Sequence, residues 1–418
     1  MYKIFETFVG AGGSHIGFKN QGFVSIYVND NVQECIDTLL FNNPELEETA
    51  FIDNRSILDV DKDTILNKTK LKKGELDVMF GGIVCKGFSL AGERSPNDER
   101  NYFFYKQIEL VSELKPKISI IENVKGILNA KVLSKKTPKE IKNRVDEIWQ
   151  ELENYKGKKA DLRKKNKITK EFENQGLKLR EDKDKILDEL SKKGYLVNVL
   201  DEIKNLYEEI GYNTSYRVLN SSWYGSATAR DRVIIVATRK GLKGEFNFPK
   251  PTHFDKNQKN KALEWGLDLE KVKPLVTVGD ALKKINYSKN DIDNIPMSHS
   301  EKTVTRFKFI PEGDSIANHI DKLPKHLKIS KFYSRGNTMR LSRKKPSPTL
   351  VPGHSNFPVH PVEDRSITVR EAATITGFPL DYKFIGSHTK RCEHVGNAVP
   401  PPLAEAIAKS CAEFLEKN

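Results

Sequence analysis

The sequence predicts an α/β protein: a doubly wound, mostly parallel sheet, joined to a smaller loop-rich domain and carrying a charged helical insertion. Three observations carry this expectation. Short apolar runs alternate with helix-length amphipathic segments through the first third of the chain, as βαβ units around a buried parallel sheet do. A glycine-rich turn, Gly10-Ala11-Gly12-Gly13, follows the first of those runs. Residues 131–190 hold 18 Lys+Arg and 13 Asp+Glu with one Pro and two Gly, which suits solvated amphipathic helices.

Taken in order, strands are expected over 3–8, 23–28, 77–80, 117–121 and 232–237, with helices over 15–20, 32–41 and 102–114. In the insertion (about 130–195), Ile141, Val145, Ile148, Leu152 and Tyr155 recur at helical spacing; just beyond it Val197, Leu200, Ile203, Leu206 and Ile210 do the same. A helical hairpin projecting from the first domain is therefore predicted, so that the catalytic unit spans 1–245. Over 246–385 Pro, Gly, His and aromatics are scattered among isolated basic residues such as Arg335 and Arg340, and a second domain is read there. The segment 386–418 returns to the first domain through a helix over 400–415, with Leu403, Ile407, Cys411 and Phe414 on one side.

The 418 residues carry 70 Lys+Arg against 57 Asp+Glu, a net charge of +13, which leaves a polyanionic partner open. The longest apolar run, 233–237, is five residues, far short of the ~20 that span a bilayer. No secretory signal is read at the start, and no membrane association is expected. Four cysteines, none in a CxxC pair, argue against a disulfide framework or structural zinc and favour a reducing cytoplasm.

Several residues stand where doubly wound folds do chemistry. Glycines after the first strand let the backbone turn tightly and approach a cofactor. Asp30 closes the second strand, where a carboxylate can accept bonds from ribose hydroxyls, and Asp53 follows at a third strand–helix junction, suited to an adenine edge. Cys85 lies just past the strand over 77–80, and neighbouring Lys86 would favour its thiolate; a buried structural cysteine is the bland alternative. Glu122 ends the next apolar run, and burying a carboxylate there is costly unless it is used or paired. Nucleophile and acid on neighbouring strands make a plausible pair. Arg230 and Arg232 alternate with Asp231 and so share a face, suited to a phosphate or carbonyl oxygen, or to a surface salt bridge.

These motifs occur together in one order: Phe8-x-Gly10-x-Gly12-Gly13, Val84-Cys85-Lys86-Gly87-Phe88-Ser89, Glu122-Asn123-Val124, Arg230-Asp231-Arg232, Pro346-Ser347-Pro348-Thr349-Leu350, 368–373 with Gly377-Phe378-Pro379, and Gly396-Asn397-Ala398-Val399-Pro400. The series resembles the C5-cytosine DNA methyltransferases of bacterial restriction–modification systems, over nearly the whole chain apart from the insertion and the variable part of the second domain. The family's usual Pro-Cys-Gln stands here as Val84-Cys85-Lys86, and the Gln of Gln-x-Arg-x-Arg as Thr228.

The resemblance implies roles. Cys85 would add to C6 of a flipped cytosine, Glu122 would bond to or protonate N3, and Arg230 and Arg232 would hold the base O2 and nearby backbone. Phe8, Gly10, Gly12, Gly13, Asp30, Asn31, Asp53, Asn54, Gly81, Phe103, Asn397, Ala398 and Val399 would surround S-adenosylmethionine. Lys86, Ser89, Arg94, Arg335 and Arg340 would contact DNA, and 246–385 would be the target-recognition domain. It further implies a monomer acting on double-stranded DNA, with no metal and with a cognate restriction endonuclease as a functional partner. Weighed beside it are a tRNA cytosine methyltransferase, a catalytically dead DNA-binding regulator of the same fold, and a nicotinamide or flavin oxidoreductase, which leaves Cys85 and Glu122 unexplained.

Overall fold

The computed structural model describes residues 1–83, 95–288, 290–329, 336–353 and 357–418. Seven strands form the main sheet: β1 (Tyr2–Thr7), β2 (Phe23–Asn29), β3 (Phe51–Asp53), β4 (Val78–Gly82), β5 (Ile118–Asn123), β6 (Tyr212–Asn220) and β7 (Asp231–Arg239). Their order across the sheet is β3-β2-β1-β4-β5-β7-β6. The first five strands are mutually parallel, while β7 runs antiparallel to both β5 and β6. The predicted doubly wound, mostly parallel sheet is therefore what forms. The direction of β7 is not visible in its apolar run, because a strand buried on both faces reads the same either way. β6 escaped the sequence reading because only Tyr212 and Leu219 of its nine residues are buried, as befits an edge strand.

The helices that frame the site are α1 (Gly13–Asn20), α2 (Gln33–Asn42), α3 (Phe103–Leu114), α4 (Lys139–Lys164), α5 (Lys170–Lys192), α6 (Val199–Glu209), α7 (Val369–Thr376), α8 (His388–Asn397) and α9 (Pro401–Leu415). Consecutive residues of each strand serve opposite faces of the sheet. Phe5, Met79, Ile121 and Ile235 enter one core with residues of α3 and α6. Ile4, Phe80, Ile120 and Val236 enter the other with Phe18 of α1 and Leu403, Ile407, Cys411 and Phe414 of α9. The C-terminal helix thus packs back on the first domain, as its apolar side predicts. A Cβ on Gly17 would overlap the backbone of α9 at Glu405, so the contact of α1 with α9 is built on that glycine.

The chain winds from β1 to β3 on one side and returns through β4 on the other. The switch point therefore lies between β1 and β4, and ligands bind outside the carboxyl ends of the strands there. Register keeps those ends level: Thr7 pairs with Asn29 and Gly81, and Gly82 with Glu122.

The insertion is a helical hairpin, α4 and α5, rooted on a short antiparallel strand pair, Lys131–Leu133 with Leu196–Asn198. Leu133, Val145, Trp149, Ile186 and Leu190 bury one another between the helices. The buried apolar residues of 246–385 divide among several cores. Phe307, Ile310, Ile316, Leu323, Leu327 and Val359 make a small core of their own, but Phe254 and Ala262 belong to the α9 side of the sheet. Ile367, Val369, Phe378, Tyr382 and Phe384 pack with Ala11 and Ile16 at the start of α1. Composition alone could not show this, since a loop-rich stretch can lie on any neighbouring core.

Candidate active site

Chain geometry after β1 is set by three left-handed residues in five: Phe8 at φ 53°, Gly10 at φ 57° and Gly12 at φ 88°. The curl brings the Gly10 N–H to the Asp30 carboxylate at 2.9 Å, and the same carboxylate accepts from Val32 N–H at 2.9 Å. Burial pushes the Asp30 carboxyl above its usual range, against those two bonds. Two bonds leave acceptor capacity on Asp30 for a ligand hydroxyl.

The glycines of this loop have different reasons. A side chain on Gly12 would meet the Tyr382 hydroxyl at 2.5 Å, and one on Gly13 would overlap the Val399 carbonyl. Both serve close packing, since Tyr382 donates its hydroxyl to the Ala11 carbonyl at 2.7 Å and the 397–399 turn lies against the head of α1. Gly10 differs, for among the described residues nothing lies within 4 Å of where its side chain would be. That side of the loop lies at the switch point, beside the Asp30 carboxylate. Phe8 and Phe103 face each other with ring centroids 5.4 Å apart and wall the same end of the sheet.

Asp53 is placed otherwise than expected. Its carboxylate accepts from Arg55 N at 3.1 Å, Arg55 Nε at 2.9 Å, Arg55 Nη2 at 2.8 Å and the Tyr27 hydroxyl at 3.1 Å. Burial pushes this carboxyl up, but the Arg55 hydrogen bonds outweigh it and hold it below the usual range. With its lone pairs filled, the side chain anchors the β3 end and leaves no acceptor for an adenine edge. Asn31, Asn54 and Asn397 are exposed, and Asn54 donates to Gln33 Oε1 at 2.9 Å. Gly81 is required because a Cβ there would meet Gln107 Nε2 at 2.8 Å.

At the neighbouring strand ends the acid finds its partner. Because β7 is antiparallel to β5, its first residues lie beside the carboxyl end of β5: Ile234 pairs with Glu122, and Arg232 stands two residues beyond on the same face. Arg232 Nε reaches Glu122 Oε1 at 2.6 Å, with both side chains under a tenth exposed. The other oxygen, Oε2, lies 3.7 Å from where a Gly82 Cβ would stand, and Val399 Cγ2 lies 3.9 Å from the same point. Glu122, Gly82 and Val399 thus converge where β4 runs out. Asn123 donates to the Ile83 carbonyl at 3.2 Å and fixes the chain as it leaves β4. Cys85, Lys86, Ser89 and Arg94 follow in a segment outside the described residues, as does Arg335.

Arg230 and Arg340 both spend donors on the protein's own carbonyls. Arg230, expected to hold the base O2 and nearby backbone, has the backbone part of that role here. Buried, it donates to the Gly396 carbonyl at 2.7 Å and to those of Leu350 and Asn397 at 3.3 Å. It thereby ties the 397–399 turn to the start of β7. Arg340 is 5% exposed and donates to the carbonyls of Phe307, Ile310, His360 and Glu363 and to Asp364 at 2.6–2.8 Å. Its guanidinium is consumed in holding the 300–364 region together and has no donor left for a phosphate. An isolated arginine in a loop-rich stretch reads alike in either role.

The distant motifs also meet. Ser347 and Pro348 pair in parallel with Thr228 and Ala229, and Thr349 donates to the Ala229 carbonyl at 3.2 Å. Sequence reasoning missed one network: Arg370 on α7 donates to Asp291 at 2.8 Å, and Arg391 on α8 donates to Asp293 at 2.7 Å. Nothing in an Asp-x-Asp pair whose members lie 79 and 98 residues upstream of these arginines signals this. Among the described residues no His, Cys, Asp and Glu group is suited to a metal ion, and no helix is long and apolar enough to cross a membrane.

Known proteins share this architecture and sequence. The crystal structure of a prophage-encoded DNA modification methyltransferase candidate from Escherichia coli covers all of this chain at TM-score 0.62 and 20% identity; that of the S. pombe Dnmt2 methyltransferase matches at TM-score 0.54 and 13% identity. By sequence, the Type II methyltransferase M.NgoFVII of Neisseria gonorrhoeae is 27% identical over all of this chain and 88% of its own length. M.DdeI of Desulfomicrobium norvegicum is 26% identical over 99% of this chain and 89% of its own. The model of the C-5 cytosine-specific DNA methylases matches residues 2–175 and 181–413. With the glycine loop, the buried Glu122–Arg232 pair and the 397–399 turn gathered at one switch point, the chain belongs to the C-5 cytosine-specific DNA methylase family and is an enzyme that methylates cytosine in DNA at C5.

Proposed function

We propose that this enzyme takes the methyl group from S-adenosylmethionine and acts on a cytosine turned out of duplex DNA, with Cys85 as nucleophile and Glu122 as acid. The observation that carries the reading is the buried Glu122, one oxygen tied to Arg232 at 2.6 Å and the other directed toward Gly82, two residues in sequence before the Val84-Cys85 pair. C5 of cytosine is a poor nucleophile while the ring is aromatic. Addition of the Cys85 thiolate to C6 forms an S–C6 bond, and a proton from Glu122 at N3 accepts the displaced ring electrons. C5 then has enamine character and can attack an electrophilic carbon. S-adenosylmethionine, when bound, supplies that carbon as the methyl of a sulfonium. Loss of the C5 proton to water, departure of the Cys85 sulfur as thiolate and return of the N3 proton to Glu122 restore the ring and the acid.

Gly10, Asp30, Phe8, Phe103 and the 397–399 turn are the residues we assign to the cofactor. Gly10 gives open room, and Asp30 has acceptor capacity left. The other cysteines are poor nucleophile candidates: burial pushes up the thiols of Cys35 and Cys411, and that of Cys392 to about 12, so they stay protonated at neutral pH. Extruding the base costs a few kcal/mol, which phosphate contacts by a chain of net charge +13 help to offset. The Type II names of the relatives support a cytoplasmic role in shielding host DNA from a cognate restriction endonuclease.

The test mixes the protein with labelled S-adenosylmethionine, plasmid DNA and, separately, oligonucleotides in which the target cytosine carries 5-fluorine. Label should appear at C5 of cytosine within one short sequence, and the fluorinated duplex should become covalently held. Cys85→Ala should abolish both while DNA binding persists; methylation surviving that change removes Cys85 from the mechanism.

A further inference from the structure

The charge of the α4–α5 hairpin is not spread evenly. Residues 156–170, the end of α4, the turn and the start of α5, hold eight Lys+Arg and one Asp; the rest of 131–190 holds ten Lys+Arg and twelve Asp+Glu. The hairpin is thus basic at its tip and slightly acidic along its shaft. Lys158, Arg163, Lys165, Lys167 and Lys170 are exposed, and none has an ion-pair partner among the described residues. Like charges crowded at helical spacing repel one another and cost local stability, so this concentration has no folding rationale.

The shaft is built to hold that tip rigidly. Tyr155 stacks on Phe172 across the two helices at 4.5 Å between ring centroids and 16° between planes, and a Cβ on Gly176 would overlap the Tyr155 ring. At ~1.5 Å per residue the 26-residue α4 carries the tip some 25–40 Å beyond its root. The root is fastened to the chain just after the Cys85 segment. Leu133 N–H donates to the Pro96 carbonyl at 3.1 Å, Asn97 donates to Asp146 at 2.9 Å, and Lys142 lies 5.5 Å over the Tyr102 ring.

We propose that the hairpin tip is a second, sequence-independent binding site for duplex DNA, gripping phosphates of the same molecule that occupies the active site but beyond the recognised sequence. This rests on the DNA methyltransferase reading and adds a surface to it. Five exposed cations on a rigid arm suit a backbone whose charges repeat every few ångströms, and the reach corresponds to about one turn of duplex.

The test uses the full chain with K158Q, R163Q, K165Q, K167Q and K170Q combined, none of which belongs to the catalytic centre. Binding is measured by fluorescence anisotropy to a ~14-base-pair duplex holding the methylated sequence and to a ~40-base-pair duplex centred on it, over a salt series. The wild type should bind the longer duplex more tightly, with a steeper salt dependence. The variant should lose that advantage, its log–log salt slope on the long duplex falling by roughly 2–4, while binding and methylation of the short duplex and the far-ultraviolet helical signal stay unchanged. Equal slopes for variant and wild type on the long duplex overturn the proposal, as does a loss of equal size on both duplexes. Failure of the wild type to methylate any DNA would instead sink the underlying reading, so the two failures are distinguishable.

Discussion

Glu122 and Arg232 show how one buried pair can serve structure and chemistry together. A carboxylate under a tenth exposed is tolerable because a guanidinium lies 2.6 Å away, and breaking such a pair leaves an uncompensated charge. Glu122→Gln keeps the shape of the side chain but removes the proton. Its methyl-transfer rate should fall by about 10²-fold or more, the scale of general acid help, with binding of S-adenosylmethionine and DNA within a few fold. Single-turnover kinetics check this, and an unchanged rate would take Glu122 out of the proton path. Arg230 makes the opposite case. Its bonds go to the carbonyls of Gly396, Asn397 and Leu350, so Arg230→Ala should lower unfolding free energy by about 3 kcal/mol, read by urea titration. A variant as stable as the parent would return Arg230 to the substrate.

At the scale of elements, the hairpin tests how separable the insertion is. Val132 lies in the main core and Leu133 at the hairpin base, so a cut at 131, as the charge pattern alone suggests, would open the sheet side. Ser134 N–H donates to the Tyr195 carbonyl at 2.9 Å, which brings the two ends together just outside that strand pair. Replacing 136–193 by a short Gly-Ser link should therefore preserve cooperative thermal unfolding, with a midpoint within a few degrees of the parent, and should remove only the hairpin's helical signal. Aggregation of this variant would make the hairpin part of the fold. The same scale separates what periodicity reveals from what it hides. The alternation of Ile4 with Phe5 and Ile120 with Ile121 marks strands, whereas β6, exposed along one edge, carries no such signature.

For the whole molecule, a set of buried carboxylate–arginine pairs joins the 291–293 loop to α7 and α8. Burial by itself pushes Glu371 up, but hydrogen bonds from Arg365 outweigh it and hold the carboxyl below its ordinary 4.5. Asp291 behaves alike with Arg370, below its ordinary 3.8. A depressed folded-state value means that the unfolded chain binds more protons in acid. The stabilisation is then complete above the ordinary value and is lost as pH falls through the folded one. Unfolding free energy should be level near neutrality and decline below about pH 4.5, with the decline shallower in Glu371→Gln. An identical acid slope in that variant would assign the loss to other groups.

The order of the motifs and the spacing of the apolar runs made the fold class and the family legible in the sequence, and marked Glu122 as a carboxylate in need of a partner, because each depends on local residue spacing. What it could not give was which polar groups would be used up by neighbours. Asp53 is filled by Arg55 and Tyr27, Arg340 by carbonyls 20–33 residues away, and Gly12 and Gly13 by Tyr382 and Val399. Nor could it give the reversed direction of β7, which alone brings Arg232 to Glu122. Hydrogen-bond saturation and strand direction are properties of residues brought together from far along the chain, so only the tertiary structure decides them.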